Sequence, residues 1–272
     1  MLTVFENLRQ LPRYRGLIQS LVARELKARY RGSVLGFFWS FVNPLLLLLV
    51  YTFVFAYVMP PPRDINNYAL FLFCGLLPWT WFSASLLESS NVLITGGNLI
   101  KKVMFPAEIL PIVTVLSNLV HFLLGLPILI LFLIYFDAPI EPAELPWFPI
   151  ALVIQLLLTL GFALILSALT VHFRDLKDIL GNVMTLWFFA TPIIYAWFNA
   201  PERIRPYLNL NPFTHLAIVY QQILFFPADA AAAGGPPGHW KWLLVLGVGS
   251  VALFLFGYFL FDRLRDTFAE EV

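Results

Sequence analysis

Between Arg24 and Leu49 a dense basic run passes almost directly into an apolar one. Arg-Glu-Leu-Lys-Ala-Arg-Tyr-Arg is followed by a stretch bracketed by Gly32 and Gly36, then by Trp39, Asn43-Pro44 and five consecutive leucines. An apolar segment that begins here and continues to Val58 is too long for an ordinary soluble core helix and long enough to cross about 30 Å of hydrocarbon. Lys and Arg immediately before such a segment hold that end on the cytoplasmic side. The composition agrees: 60% of the 272 residues are hydrophobic and only 12% are charged, whereas a soluble domain carries roughly 25% charge. The sequence therefore predicts an all-α integral membrane protein.

Six transmembrane helices per protomer are expected, near 35–58, 68–90, 107–136, 147–171, 179–198 and 241–261, each of membrane-crossing length. They form one transmembrane domain over 35–262, preceded by a cytoplasmic segment, 1–34, and followed by a cytoplasmic tail, 263–272. In the N-terminal segment Leu17, Ile18, Leu21, Val22 and Leu26 recur at helical spacing, with Arg24, Lys27 and Arg31 mostly to another side. That pattern predicts an amphipathic helix in the cytoplasmic interface, although a plain positive-inside anchor uses the same charges. Thirteen of the seventeen Lys and Arg residues fall on segments placed inside, and the four placed outside are Arg63, Arg203, Arg205 and Lys241. Both termini are accordingly expected in the cytoplasm, with no cleaved secretory signal.

The outer connections after Met59 and Asp137 are short and broken by prolines, as turns between antiparallel spans should be. The last one, 199–240, is different. Its apolar part, Phe213 to Phe226, is too short to cross, so a re-entrant or interfacial segment is expected at about 205–227. Asp229 to Gly238 reads as a flexible surface loop.

Little in the chain suggests catalysis. The one cysteine, Cys74, lies in an apolar run, and His121, His172, His215 and His239 are scattered. No HExxH, GxSxG, CxxC or Walker-type motif occurs, so no catalytic residue, metal site or resident cofactor is expected. The net charge of +1 is silent about nucleic acid. Glu88 and Glu108 fall near the inner ends of the second and third spans, where Lys101 or Lys102 would be their simplest partners. No acid or base is expected at mid-span, which weighs against proton- or sodium-coupled transport. Trp79, Trp81 and Phe82 fall near the outer start of the second span, and Tyr195, Trp197 and Phe198 at the outer end of the fifth. They read as an aromatic belt at headgroup level, or as rings lining a path for sugars, whose C–H faces stack on aromatic surfaces. The inner loops around Lys101-Lys102 and Arg174-Asp175 are simple turns, or docking elements for a soluble partner.

Taken in order, Arg29-Tyr-Arg-Gly-Ser-Val-Leu-Gly, Asn43-Pro44, Lys101-Lys-Val-Met-Phe-Pro-Ala-Glu, His172-Phe-Arg-Asp-Leu, Thr191-Pro-Ile-Ile-Tyr and Leu210-Asn-Pro-Phe resemble the permease subunit of polysaccharide ABC exporters over nearly the whole chain. These are the type-two ABC transporters of O-antigen, capsule and teichoic-acid polymers. The resemblance implies a homodimer of this permease in the bacterial inner membrane, working with two copies of an ATP-binding subunit that holds ATP and Mg, to move a lipid-linked polysaccharide outward. It implies ATPase coupling through the interface helix and Lys101 and Lys102, extended here to Arg174 and Asp175. Arg29, Tyr30 and Arg31 are the expected gateway for the lipid pyrophosphate, since clustered arginines offer charge-assisted hydrogen bonds to phosphate; holding the anionic leaflet is the simpler role for them. One departure is Ala196-Trp197 after Tyr195, where a proline would be expected. A drug or small-molecule exporter of the same architecture stays open as an alternative. So does a membrane glycosyltransferase or acyltransferase, which would need an essential acid or histidine such as Glu88, Glu108 or His121.

Overall fold

The computed structural model describes residues 11–33, 36–54, 58, 67–97, 105–138, 141–226 and 240–271. Lys101, Lys102, His239 and the segments Met59–Asn66 and Asp229–Gly238 lie outside the described residues. Among the described residues the secondary structure is helical, without strands. In chain order the α-helices are α1 (Arg15–Arg29), α2 (Trp39–Phe53), α3 (Tyr68–Thr95), α4 (Ile109–Tyr135), α5 (Trp147–His172), α6 (Leu176–Phe189), α7 (Arg205–Leu208), α8 (Pro212–Leu224) and α9 (Trp240–Glu271).

Four of these, α3, α4, α5 and α9, are long and apolar enough to cross a membrane. Two expected spans are shorter as helices. α2 covers 15 residues, about 22 Å at 1.5 Å per residue. α6 stops at Phe189 after 14 residues, well before the expected end at 198. The cause is local: Pro192 has no N–H to continue the ladder and disfavours helical backbone at Thr191. The last helix errs the other way, running unbroken through what reads as a tail. Arg265 pairs with Asp262 at 3.2 Å one turn away, while Phe268 is fully buried against Phe261 and the His172 ring. An amphipathic continuation with its own apolar contact needs no chain break.

α3 is the axis of the bundle. In its most apolar stretch 78% of residues are buried, against 28% in α9, so α3 is covered by protein on most sides and α9 is peripheral. It packs on α4, α5 and α8. Pro78 lies inside the helix without an N–H for its hydrogen-bond ladder, and the buried Gln155 of α5 donates from Nε2 to the Pro78 carbonyl at 2.8 Å, tying the two helices together at that turn. α1 lies across the start of α4: Leu21, Ile109 and Val113 are buried together, with Leu17, Ile18, Val22 and Phe105 around them. The apolar side of the N-terminal helix thus rests on protein.

The most extensive helix pair is α5 with α9, and glycines set its closeness. A Cβ on Gly257 would sit 2.6 Å from the Gly161 carbonyl oxygen, and one on Gly161 would meet the Leu253 and Phe254 backbone at 3.0 Å. Backbone cannot move aside as a flexible side chain can, so small residues are required where these helices touch. Gly257→Val should destabilise the folded protein by about 1–3 kcal/mol, read as a lower melting temperature in detergent, while a substitution at Gly249, which faces open space, leaves it unchanged.

Candidate functional site

Two polar constructions stand out in a bundle otherwise filled with apolar side chains. The first is where α1 hands over to α2. α1 ends at Arg29, and Gly32 and Gly36 adopt positive φ of 82° and 50°, a backbone region that glycine enters without steric cost. Trp39 Nε1 donates to Ser33 Oγ at 3.0 Å across the turn, and Ser40 Oγ donates to the Tyr30 hydroxyl at 2.9 Å. This places Tyr30 edge-on against the His121 ring of α4, its hydroxyl 3.3 Å from Nδ1.

Arg29 reaches both neighbouring spans. Its Nη2 donates to Glu88 Oε2 of α3 at 2.8 Å, and its Nη1 donates to Asn118 Oδ1 of α4 at 3.1 Å. Asn118 Nδ2 donates to the same Glu88 oxygen at 2.8 Å, closing a triangle of three side chains from three helices. Glu25, one turn before Arg29, has its carboxyl pushed above the usual range, first by burial and then by the charge of Glu88, with Arg29 and Arg24 pulling the other way. The cluster borders a cavity of about 360 Å³ between α2, α3 and α4, whose wall also includes Asn43, Thr80 and Trp81 among apolar side chains. That size is in the range of small-ligand sites.

The cluster bears on two sequence expectations. His121 stands near the middle of the 27-residue α4, so a titratable base does lie at mid-span. Glu88 pairs with Arg29 at 2.8 Å, a partner the sequence did not suggest, while Lys101 and Lys102 lie outside the described residues. The first signal was available as periodicity, since Thr114, Ser117, Asn118 and His121 share one face of α4; the Arg29 partner of Glu88 was not.

The second construction is the elbow where α6 ends. Asn211 Oδ1 accepts from Trp187 Nε1 at 2.7 Å and from the Phe213 amide at 3.0 Å, capping α8. Its Nδ2 donates to Thr191 Oγ1 at 2.9 Å. Gln221 Nε2 donates to the Pro192 carbonyl at 3.0 Å, and Trp197 Nε1 donates to Asn209 Oδ1 at 3.0 Å, with the Arg205 guanidinium 5.1 Å from that indole ring. Thr191-Pro-Ile-Ile-Tyr and Leu210-Asn-Pro-Phe, twenty residues apart in sequence, are one hydrogen-bonded unit.

The aromatic candidates divide between these regions and the core. Trp79 and Phe82 are not surface rings: Trp79 meets Phe213 at 4.9 Å and Phe82 meets Trp187 at 5.3 Å between ring centroids, and Phe82 has no exposed surface. Because α3 is enclosed, both rings pack against neighbouring helices within the protomer. Trp81 borders the inner cavity, held by Nε1 donating to the Val115 carbonyl at 3.2 Å. Tyr195 and Trp197 lie half-buried at the elbow. Arg174 and Asp175 form the exposed turn between α5 and α6, and Arg31 is exposed beyond α1. Among the described residues no group of three or more His, Cys, Asp or Glu side chains could hold a metal.

Residues 16–225 match the ABC-2 type transporter family. The chain is 42% identical to the O-antigen export system permease protein RfbA of Myxococcus xanthus, covering 97% of this chain and 98% of that one. It is 32% identical to the protein of the same name from Klebsiella pneumoniae, covering 93% and 94%. At 24% identity it is similar to the polysialic acid transport protein KpsM of Escherichia coli, covering 73% and 77%.

Asn211→Ala would strand the Trp187 indole N–H and the Phe213 amide in a poorly hydrated elbow. It should lower stability by about 1–3 kcal/mol, measured by thermal unfolding in detergent, and Asn211→Asp, which keeps the acceptor, should recover part of the loss.

Proposed function

Because the chain belongs to the ABC-2 type transporter family, we propose that it acts as the permease of an exporter that carries a lipid-linked polysaccharide, of O-antigen or capsule type, outward across the bacterial inner membrane. It is a membrane transport subunit and not an enzyme. Similarity over almost the whole length to permeases named for O-antigen export supports the cargo class. The observation that carries the reading further is the largely apolar cavity edged by Arg29, Asn118 and His121, since hydrogen-bonded ionisable groups at membrane depth mark transport paths.

In this reading two copies of the permease work with two copies of an ATP-binding subunit, which supplies ATP and Mg. The turn carrying Arg174 and Asp175, together with Lys101 and Lys102, receives the mechanical push from that subunit. Arg29, Tyr30 and Arg31 meet the lipid pyrophosphate at the inner leaflet, where guanidinium groups match phosphate geometry. Trp81 near the inner cavity and Tyr195 and Trp197 at the elbow offer sugar-facing rings, while Trp79 and Phe82 support them from inside. The chain crosses six times with both termini inside and α1 in the interface. α6 spans only about 21 Å as a helix; its crossing is completed by residues 190–196, whose buried Thr191, Pro192, Ile193 and Ala196 suit non-helical backbone shielded by protein. α8 is the re-entrant piece.

Deletion of this chain should remove surface polysaccharide while lipid-linked polymer accumulates inside, and an ATP-binding subunit should co-purify with the tagged protein. Intact surface glycan without such a partner would sink the reading. Stimulation of the complex by drugs but not by lipid-linked glycan would replace it with small-molecule export.

A further inference from the structure

The Arg29 guanidinium is already occupied. Both of its terminal nitrogens are engaged, one by Glu88 and one by Asn118. A headgroup that uses Arg29 must therefore displace a carboxylate, and this competition has a selective consequence. Resting on the headgroup reading above, we propose that Glu88 is a specificity-determining residue: it withholds Arg29 from monoanionic membrane phospholipids and yields it to a lipid diphosphate.

Three features support an exchangeable pair. The side chains are 30% and 39% exposed, so a competing anion can reach them from the cleft mouth. Asn118 bridges the two partners, and its Nδ2 donation to Glu88 need not break when Arg29 leaves, so the carboxylate keeps a hydrogen bond and is not left bare. Arg31, exposed two residues further on, makes no ion pair with a described residue and offers the first contact.

Charge then decides the exchange. A phosphodiester carries one negative charge, so it would replace Glu88 at Arg29 like for like and forfeit the hydrogen bonds of the triangle. A diphosphate carries at least two, and Coulomb attraction scales with the product of charges. It engages Arg29 and Arg31 together, with several oxygens for forked donation. Glu25, whose carboxyl also lies in the fields of Arg29 and Glu88, adds negative potential that a singly charged headgroup must overcome. Without this competitor Arg29, like the exposed Arg31, would exchange among the anionic phospholipids that surround it in great excess, so the selection falls on Arg29.

The test measures binding of a fluorescent polyprenyl pyrophosphate to the complete permease–ATPase complex in nanodiscs of phosphatidylcholine, with and without phosphatidylglycerol. For wild type the half-saturation point should be nearly the same in both lipids. Glu88→Gln should bind about tenfold more tightly in phosphatidylcholine, the scale of one charge-assisted interaction, and should lose that gain when phosphatidylglycerol is present. Arg29→Ala should bind more weakly in both. A Glu88→Gln complex that weakens like Arg29→Ala, or whose response to phosphatidylglycerol equals that of wild type, would reduce Glu88 to a structural clamp and overturn the proposal. If that variant does not assemble, Glu88→Asp, with its shorter reach, should show the same changes in smaller degree; a change of opposite sign or none overturns it equally. Failure of wild type itself to bind the pyrophosphate would remove the headgroup reading, a result distinct from binding that Glu88 does not modulate.

Discussion

A polar group inside hydrocarbon is tolerated only when another group of the protein satisfies it, and the triangle of Arg29, Glu88 and Asn118 is where that constraint shapes this molecule most. Its members come from the N-terminal helix, the central span and the third expected crossing, so the demand of one arginine for partners joins three elements. The neighbouring chain from Ser40 through Tyr30 to His121 extends the same logic to α2. Without these bonds the glycine-bracketed turn between α1 and α2 would have only lipid and apolar side chains against it, and the cavity would lose its polar wall.

The elbow after α6 obeys the same rule with neutral groups. A helix that ends before Pro192 leaves backbone carbonyls and the Trp187 indole N–H in need of partners. Asn211 and Gln221 from the α7–α8 region supply them, which ties the break to α8. Between the two polar ends, cohesion comes from close contact. Gly161 and Gly257 bring α5 and α9 to backbone distance, and an aromatic cluster around Trp79, Phe82, Trp187 and Phe213 fills the space beside α3. The likeness in apolarity between lipid and side chains means that such packing, more than hydrophobic burial, holds a membrane bundle together.

Particular residues show how far the sequence could be read. The helical character, the glycine turn after Arg31 and the short helix from Pro212 were legible because each depends on local chemistry: apolar run length, positive φ, and an Asn-Pro start that caps a helix. The early end of α6 was legible in principle at Thr191-Pro192 but was outweighed by the apolar residues beyond it. The enclosure of Trp79 and Phe82 was not legible, because a ring near a span end looks alike whether lipid, glycan or another helix faces it. The pairing of Glu88 with Arg29 joins residues 59 positions apart, and only sequence neighbours offered themselves as partners in one dimension.

Run length and turn residues thus determined by themselves that this chain is helical and membrane-bound, since those properties arise from each segment meeting its solvent. Which segment forms the axis, which aromatic rings are enclosed, and which carboxylate Arg29 meets were decided by tertiary structure alone. Such outcomes depend on how helices pack against one another, and that packing brings together side chains whose spacing along the chain carries no record of their distance in space.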